Sequence, residues 1–156
     1  MDKRGFTLIE LLVVIAIIGI LAVVATTAYI GSVRKAARSE AYSNLQSLRL
    51  LEEQVFAENA VYFPDPARGH ANPTVGASNI QAIIPGFRPG GNPAVIPDFA
   101  LNFTYQLNQN QQITSINPLA FGASANPCFV ARATGVAGTR VAGDVFAIDC
   151  NNNTNF

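Results

Sequence analysis

The sequence predicts an α+β chain. One long N-terminal helix, membrane-spanning in its first half and amphipathic in its second, packs on a C-terminal antiparallel β-sheet. Three observations predict it. Residues 11–25 read LLVVIAIIGILAVVA without a polar side chain, and residues 11–33 carry no charge. Residues 34–58 then place apolar side chains at helical spacing. From residue 99 the pattern changes to short alternating runs set between turn residues.

Composition narrows the function classes. The 156 residues suffice for one domain. Charged residues make up 13% and hydrophobic residues 49%, the reverse of a disordered chain. Ten basic and ten acidic side chains give a formal net charge of zero, which argues against nucleic-acid binding. One His, two Cys and no Trp leave little material for a metal or nucleophilic site. No catalytic constellation, metal site or cofactor is read from the sequence, and the chain is read as a non-enzyme.

The first element is the apolar helix. Its 23 uncharged residues, 11–33, span about 35 Å at 1.5 Å per residue, enough to cross a bilayer. Its polar members, Thr26, Thr27, Tyr29 and Ser32, are mild, and Gly19 and Gly31 are tolerable in a membrane helix. Three readings compete for residues 1–33. One is a secretory signal peptide, with Lys3 and Arg4 as its basic region and cleavage after Val23-Val24-Ala25. Another is a plain anchor. Neither needs Glu10, a carboxylate that costs on the order of a few kcal/mol beside an apolar run unless it finds a partner.

The third reading accounts for Glu10. The stretch Gly5-Phe6-Thr7-Leu8-Ile9-Glu10 follows a short basic leader and continues through Ile18-Gly19-Ile20-Leu21-Ala22. It resembles the processing site of type IV prepilins and pseudopilins over about the first quarter of the chain. The resemblance implies a pilin-like fold and cleavage between Gly5 and Phe6 by a prepilin peptidase. It also implies N-methylation of Phe6 and pairing of Glu10 with the Phe6 amine of a neighbouring subunit in a helical filament. A paired buried charge is tolerable where an unpaired one is expensive. The implied organisation is a leader at 1–5, a transmembrane half-helix at 6–33, an amphipathic half-helix at 34–59, a Pro/Gly-rich loop at 60–98 and a sheet region at 99–156. The implied partners are the membrane before assembly, the peptidase, an inner-membrane assembly machinery and further copies of the chain. The implied location is the bacterial inner membrane as a single-pass precursor, then an extracellular pilus or a periplasmic pseudopilus. Loss of Asp2, Lys3 and Arg4 with the leader would leave a net charge of −1. Arg34, Lys35 and Arg38 beyond the span oppose Lys3 and Arg4 before it, so charge alone does not orient the helix. The cleavage signature and the cysteines put the N-terminus in the cytoplasm. Many major pilins carry a proline near the end of the apolar run, where this chain has Thr27.

The second half of the helix has its stripe at Ala41, Leu45, Leu48, Leu51 or Glu52, and Val55. Arg49 and Glu53 stand at the spacing of a weak ion pair. The helix should run from about Phe6 to Asn59, because Pro64 and Pro66 prevent continuation. Residues 64–98 hold seven of the nine prolines and five of the twelve glycines, and read as a long surface excursion. A short helix capped by Ser78 and reaching Ile84 interrupts it.

Residues 99–107 alternate as a half-buried strand. A turn at Gln109-Asn110 leads to a partner strand over 112–117, and 128–133 with 144–150 form two more strands joined by a Gly-rich turn. Cys128 and Cys150 close these strands. In an exported domain they point to a disulfide worth about 3 kcal/mol, as many pilins have near the C-terminus; two buried free thiols are the alternative. His70 reads as an exposed loop residue. The triplets at Asn102 and Asn152 match the glycosylation acceptor, a signal of low specificity. The expected function is a structural subunit of a type IV pilus. The alternatives are a type II secretion pseudopilin, or a secreted binding domain with an ordinary signal peptide. Major pseudopilins usually bind Ca²⁺ near the C-terminus, and the lack of an acidic cluster for it in residues 120–156 favours a pilin.

Overall fold

The computed structural model describes residues 7–89 and 102–156. The leader, Phe6, residues 90–98 and the first three residues of the strand expected over 99–107 lie outside this range. The chain divides into two units, residues 1–36 and residues 37–156.

Helix α1 covers Leu8–Asn59. In the first unit its apolar side chains are exposed, among them Leu12, Ile15, Ile20 and Val24, and the helix is long and apolar enough to cross a membrane. Thr26 and Thr27 donate their hydroxyls to the carbonyls of Ala22 and Val24, at 2.8 and 3.0 Å, so both polar groups are satisfied within the helix. In the second unit α1 buries Ala37, Ala41, Leu45, Leu48 and Glu52. The open choice between Leu51 and Glu52 therefore falls on Glu52, while Leu51 and Val55 are half-buried. Helix α1 stops where Ala60 turns left-handed at φ 58°, with its N–H on the Phe56 carbonyl at 2.8 Å. The Arg49–Glu53 pair does not form. Arg49 Nε has no partner, and Glu53 accepts from the Tyr62 hydroxyl at 3.4 Å.

The main sheet is antiparallel, in the order β1-β2-β5-β6, from strands Thr74–Val75, Phe103–Gln109, Phe129–Gly135 and Val145–Asp149. Alternation sends Phe103, Tyr105, Leu107, Phe129, Ala131, Ala133 and Ile148 into one core with the α1 stripe. Alanines at 131 and 133, on an interior strand, are small side chains in that shared core. Arg38 clamps the helix to the β5–β6 turn through a two-pronged bond to Asp144, 2.8 Å on each oxygen. Asn44 donates to the buried Tyr105 hydroxyl at 2.6 Å.

Strand pairing differs from expectation at one place. The strand after Gln109-Asn110, β3 at Gln111–Ile116, does not return along β2. It pairs with β4, Leu119–Ala123, in a separate two-stranded sheet. Asn110, at φ 57°, gives its N–H to the Cys128 carbonyl instead of closing a hairpin. The second sheet covers the opposite face of β5 and β6, where Ile113, Val130 and Ala147 form a small core with Leu119 and Phe121.

Residues 60–89 contribute to the interior. Tyr62, Phe63, Ala77, Ile80, Ile84 and Phe87 are all buried. The short helix α2 spans Ala77–Ile83 and is capped by Gly76 at φ 94°, not by Ser78. Its apolar positions 80 and 84, with Phe87 beyond, carry a helical spacing that outweighs the density of prolines. His70 is half-buried: its Nδ1 accepts from the Asp65 N–H at 3.0 Å, and its ring meets Phe63 edge-on at 4.7 Å.

Candidate functional site

The first turn of α1 carries the site. Thr7 precedes the helix and Glu10 lies three residues on, which is the spacing of a capping box. Glu10 Oε2 accepts from the Thr7 N–H at 2.9 Å and from the Thr7 hydroxyl at 2.6 Å, while the Glu10 N–H reaches Thr7 Oγ at 3.4 Å. A carboxylate here also complements the positive end of the helix dipole. Glu10 is exposed beside Ile9, Val13 and Val14, which are themselves exposed and apolar. Gly5 and Phe6 lie outside the described residues. Thr7 was not singled out as a partner from the sequence, although Thr-x-x-Glu ahead of an apolar run is the pattern that finds it.

Cys128 and Cys150 are disulfide-bonded, with Cα atoms 5.3 Å apart. They sit just before β5 and just after β6, so the bond ties the two strands where their ladder ends. Asp149, next in the chain, is fully buried. Its Oδ1 accepts from the N–H groups of Asn151 and Asn153, and its Oδ2 from Ile113 N–H and the Asn153 amide, at 2.8–3.0 Å. One carboxylate thus joins β6, the C-terminal segment and the second sheet. Of the glycosylation triplets, Asn102 is engaged by Glu40 at 2.9 Å, and Asn152 is exposed at φ 62°. Among the described residues no group of three His, Cys, Asp or Glu side chains could hold a metal ion.

Fold and site together define a chain whose described residues join an apolar N-terminal helix, long enough to cross a membrane, to a disulfide-bonded α+β domain. Residues 1–26 match the prokaryotic N-terminal methylation motif. The chain is 46% identical over 60 residues to the type IV major pilin protein PilA of Myxococcus xanthus, covering 38% of this chain and 27% of that protein. It is 34% identical over 82 residues to the fimbrial protein EcpC of Eikenella corrodens, covering 53% of this chain and 54% of that protein. It is 51% identical over 47 residues to a fimbrial protein of Moraxella nonliquefaciens, covering 30% of each. The matches thus span about a quarter to a half of the relatives' length. No solved structure matches. The motif and these likenesses make the N-terminal part of the chain similar to type IV pilins and fimbrial proteins.

Proposed function

We propose that this chain is the precursor of a structural subunit of a type IV pilus. A prepilin peptidase cuts between Gly5 and Phe6 and methylates the new Phe6 amine. An inner-membrane machinery then moves the subunit from the membrane into a helical filament, with no chemistry performed by the subunit itself. The reading rests on one observation: a carboxylate at Glu10, held in a capping box, opens a helix whose apolar side chains are exposed from Leu8 onward. Exposed apolar surface of this extent belongs in a membrane or against other protein. Such a surface serves both stages, lipid first and neighbouring helices later.

The capping box sharpens the role of Glu10. In the single subunit Thr7 occupies Oε2, and Oε1 takes no hydrogen bond from the described residues. In a dry filament core that oxygen receives the Phe6 ammonium of a neighbour, which turns two unpaired charges into a pair.

Three variants separate cap from charge. Glu10→Gln keeps an oxygen for Thr7 and loses the charge. Thr7→Ala weakens the cap by about 1 kcal/mol and keeps the charge. Glu10→Val loses both. In a strain without the native copy, Glu10→Gln and Glu10→Val should accumulate in the membrane and be scarce in sheared filaments, while Thr7→Ala should assemble. Normal filament yield from Glu10→Gln would remove the charge-pairing role. Intact mass of the assembled form should start at Phe6 with one added methyl group. A start at Thr26 would mean signal peptidase and end the pilin reading.

A further inference from the structure

Glu52 is a fully buried acid that forms no ion pair among the described residues. It belongs to the α1 stripe and faces the corner where the chain leaves the helix. Its Oε2 accepts from the Phe63 N–H at 2.9 Å, and its Oε1 has no partner among the described residues. The corner is sharp, because Ala60 is left-handed, and beyond it Tyr62 and Phe63 turn into the core beside Glu52. Tyr62 stacks on Phe56 at 4.5 Å and meets Phe129 at 5.0 Å, and its carbonyl accepts from the Gln109 side chain at 2.9 Å.

The charged neighbours do not neutralise Glu52. On α1, Glu53 turns to the Tyr62 hydroxyl and Arg49 leaves its Nε unbonded. On the segment after the corner, Arg68 pairs with Asp65 at 3.3 Å and lies over the Phe63 ring, and His70 meets the same ring edge-on. A carboxylate in this position would hold an unsolvated charge against a core of aromatic rings, next to another carboxylate. A neutral acid costs far less.

We propose that Glu52 is a proton-held latch: it docks residues 60–64 onto α1 as the neutral acid, and loss of its proton to water releases the corner. Burial first, then the nearby Glu53, push its pKa from 4.5 up to about 8, against the opposing effect of the Phe63 N–H. Opening hydrates the carboxylate. It also frees Tyr62 and Phe63, and with them the start of the segment that carries β1 and α2. Mildly alkaline medium therefore loosens this surface, and neutral to acid medium closes it.

The test uses the full chain in detergent micelles, with the Glu side-chain carboxyl carbons isotopically labelled. The Glu52 carboxyl should keep the chemical shift of the neutral acid at pH 6.5 and titrate near 8. Phe63 amide protection, corrected for intrinsic exchange, should fall about tenfold per pH unit between about pH 5 and 8 and level off above, since the open state takes up the ordinary carboxyl pKa. Glu52→Gln retains an acceptor for Phe63 and cannot ionise, so its corrected protection should not change with pH. A Glu52 carboxyl already ionised at pH 6.5 overturns the proposal, as does the same fall in Glu52→Gln. Should that variant fail to fold, the wild-type carboxyl titration decides alone.

Discussion

Glu52 and Asp149 are both fully buried carboxyl side chains, and their surroundings differ in the number of donors supplied. Asp149 receives four hydrogen bonds from three residues, Ile113, Asn151 and Asn153. Asp149→Ala strands the buried Ile113 N–H without a partner and also unties the part-buried donors of Asn151 and Asn153. The expected loss is about 3 kcal/mol or more, read from denaturant unfolding with the disulfide intact. A loss below about 1 kcal/mol would mean that water replaces the carboxylate there. Glu52 receives a single bond. Its folded pKa of about 8 lies above its ordinary 4.5, so the folded state holds the proton longer than the unfolded state. The stabilisation is complete below pH 4.5 and is lost as the pH climbs through 8. The slope is about 1.4 kcal/mol per pH unit within that window. Glu52→Gln should abolish this slope and be the more stable protein at pH 9, as unfolding curves at pH 5 and pH 9 would reveal.

The elements are joined through close approaches that only some substitutions tolerate. Gly135 ends β5, and a Cβ there would lie 1.9 Å from the Val141 carbonyl oxygen. The obstacle is backbone, so the β5–β6 turn must move. Gly86 is crowded by the Leu51 Cδ2 at 2.7 Å, the end of a side chain with other rotamers. Gly135→Ala should therefore cost about 2 kcal/mol or more, and Gly86→Ala less than about 1.5 kcal/mol. Equal costs in thermal unfolding would contradict the distinction. The free edge of β6 is handled by the residues after it. The Asn155 side-chain amide accepts from the Ala147 N–H and donates to the Val145 carbonyl, both at 2.9 Å, and Thr154 bridges to Ile148. A side chain in the place of a neighbouring strand closes an edge that could otherwise pair with another chain.

Assembly needs surfaces as well as a stable domain. In the 37–156 unit the exposed face of α1 carries Ser39, Ser43, Ser47, Leu50 and Gln54 at spacings of three and four, with no charge among them before Glu58 at its end. A face turned permanently to water normally carries charged residues. Leu50 is 64% exposed on it. Under the filament reading, Leu50→Glu should leave unfolding unchanged within about 0.5 kcal/mol and reduce filament yield severalfold. Filament yield equal to wild type would exclude this face from subunit packing. The near balance of charge suits such packing, since a chain of large net charge would repel its copies.

Some of this was legible without coordinates because it is local. An uninterrupted apolar run has one economical fate, and the spacing of 41, 45 and 48 makes a helix stripe whatever lies against it. The alternation over 103–107, the strands before and after the Gly-rich turn, and the Gly5–Glu10 motif are patterns of the same kind, as is the Thr7–Glu10 box that was passed over. Other features depend on residues distant in the chain. Leu51 and Glu52 are equally placed by periodicity, and the choice of Glu52 comes from the Phe63 N–H eleven residues on. Ile80, Ile84 and Phe87 looked like parts of a surface loop until the core supplied the space they fill. Strand β3 has the composition to pair with β2, yet the Cys128 carbonyl takes the Asn110 N–H and Asp149 takes that of Ile113, so β3 folds over the other face of the sheet. Periodicity sets which face of an element is apolar. Which partner covers that face is a competition among long-range contacts, and it is settled only when the whole core closes.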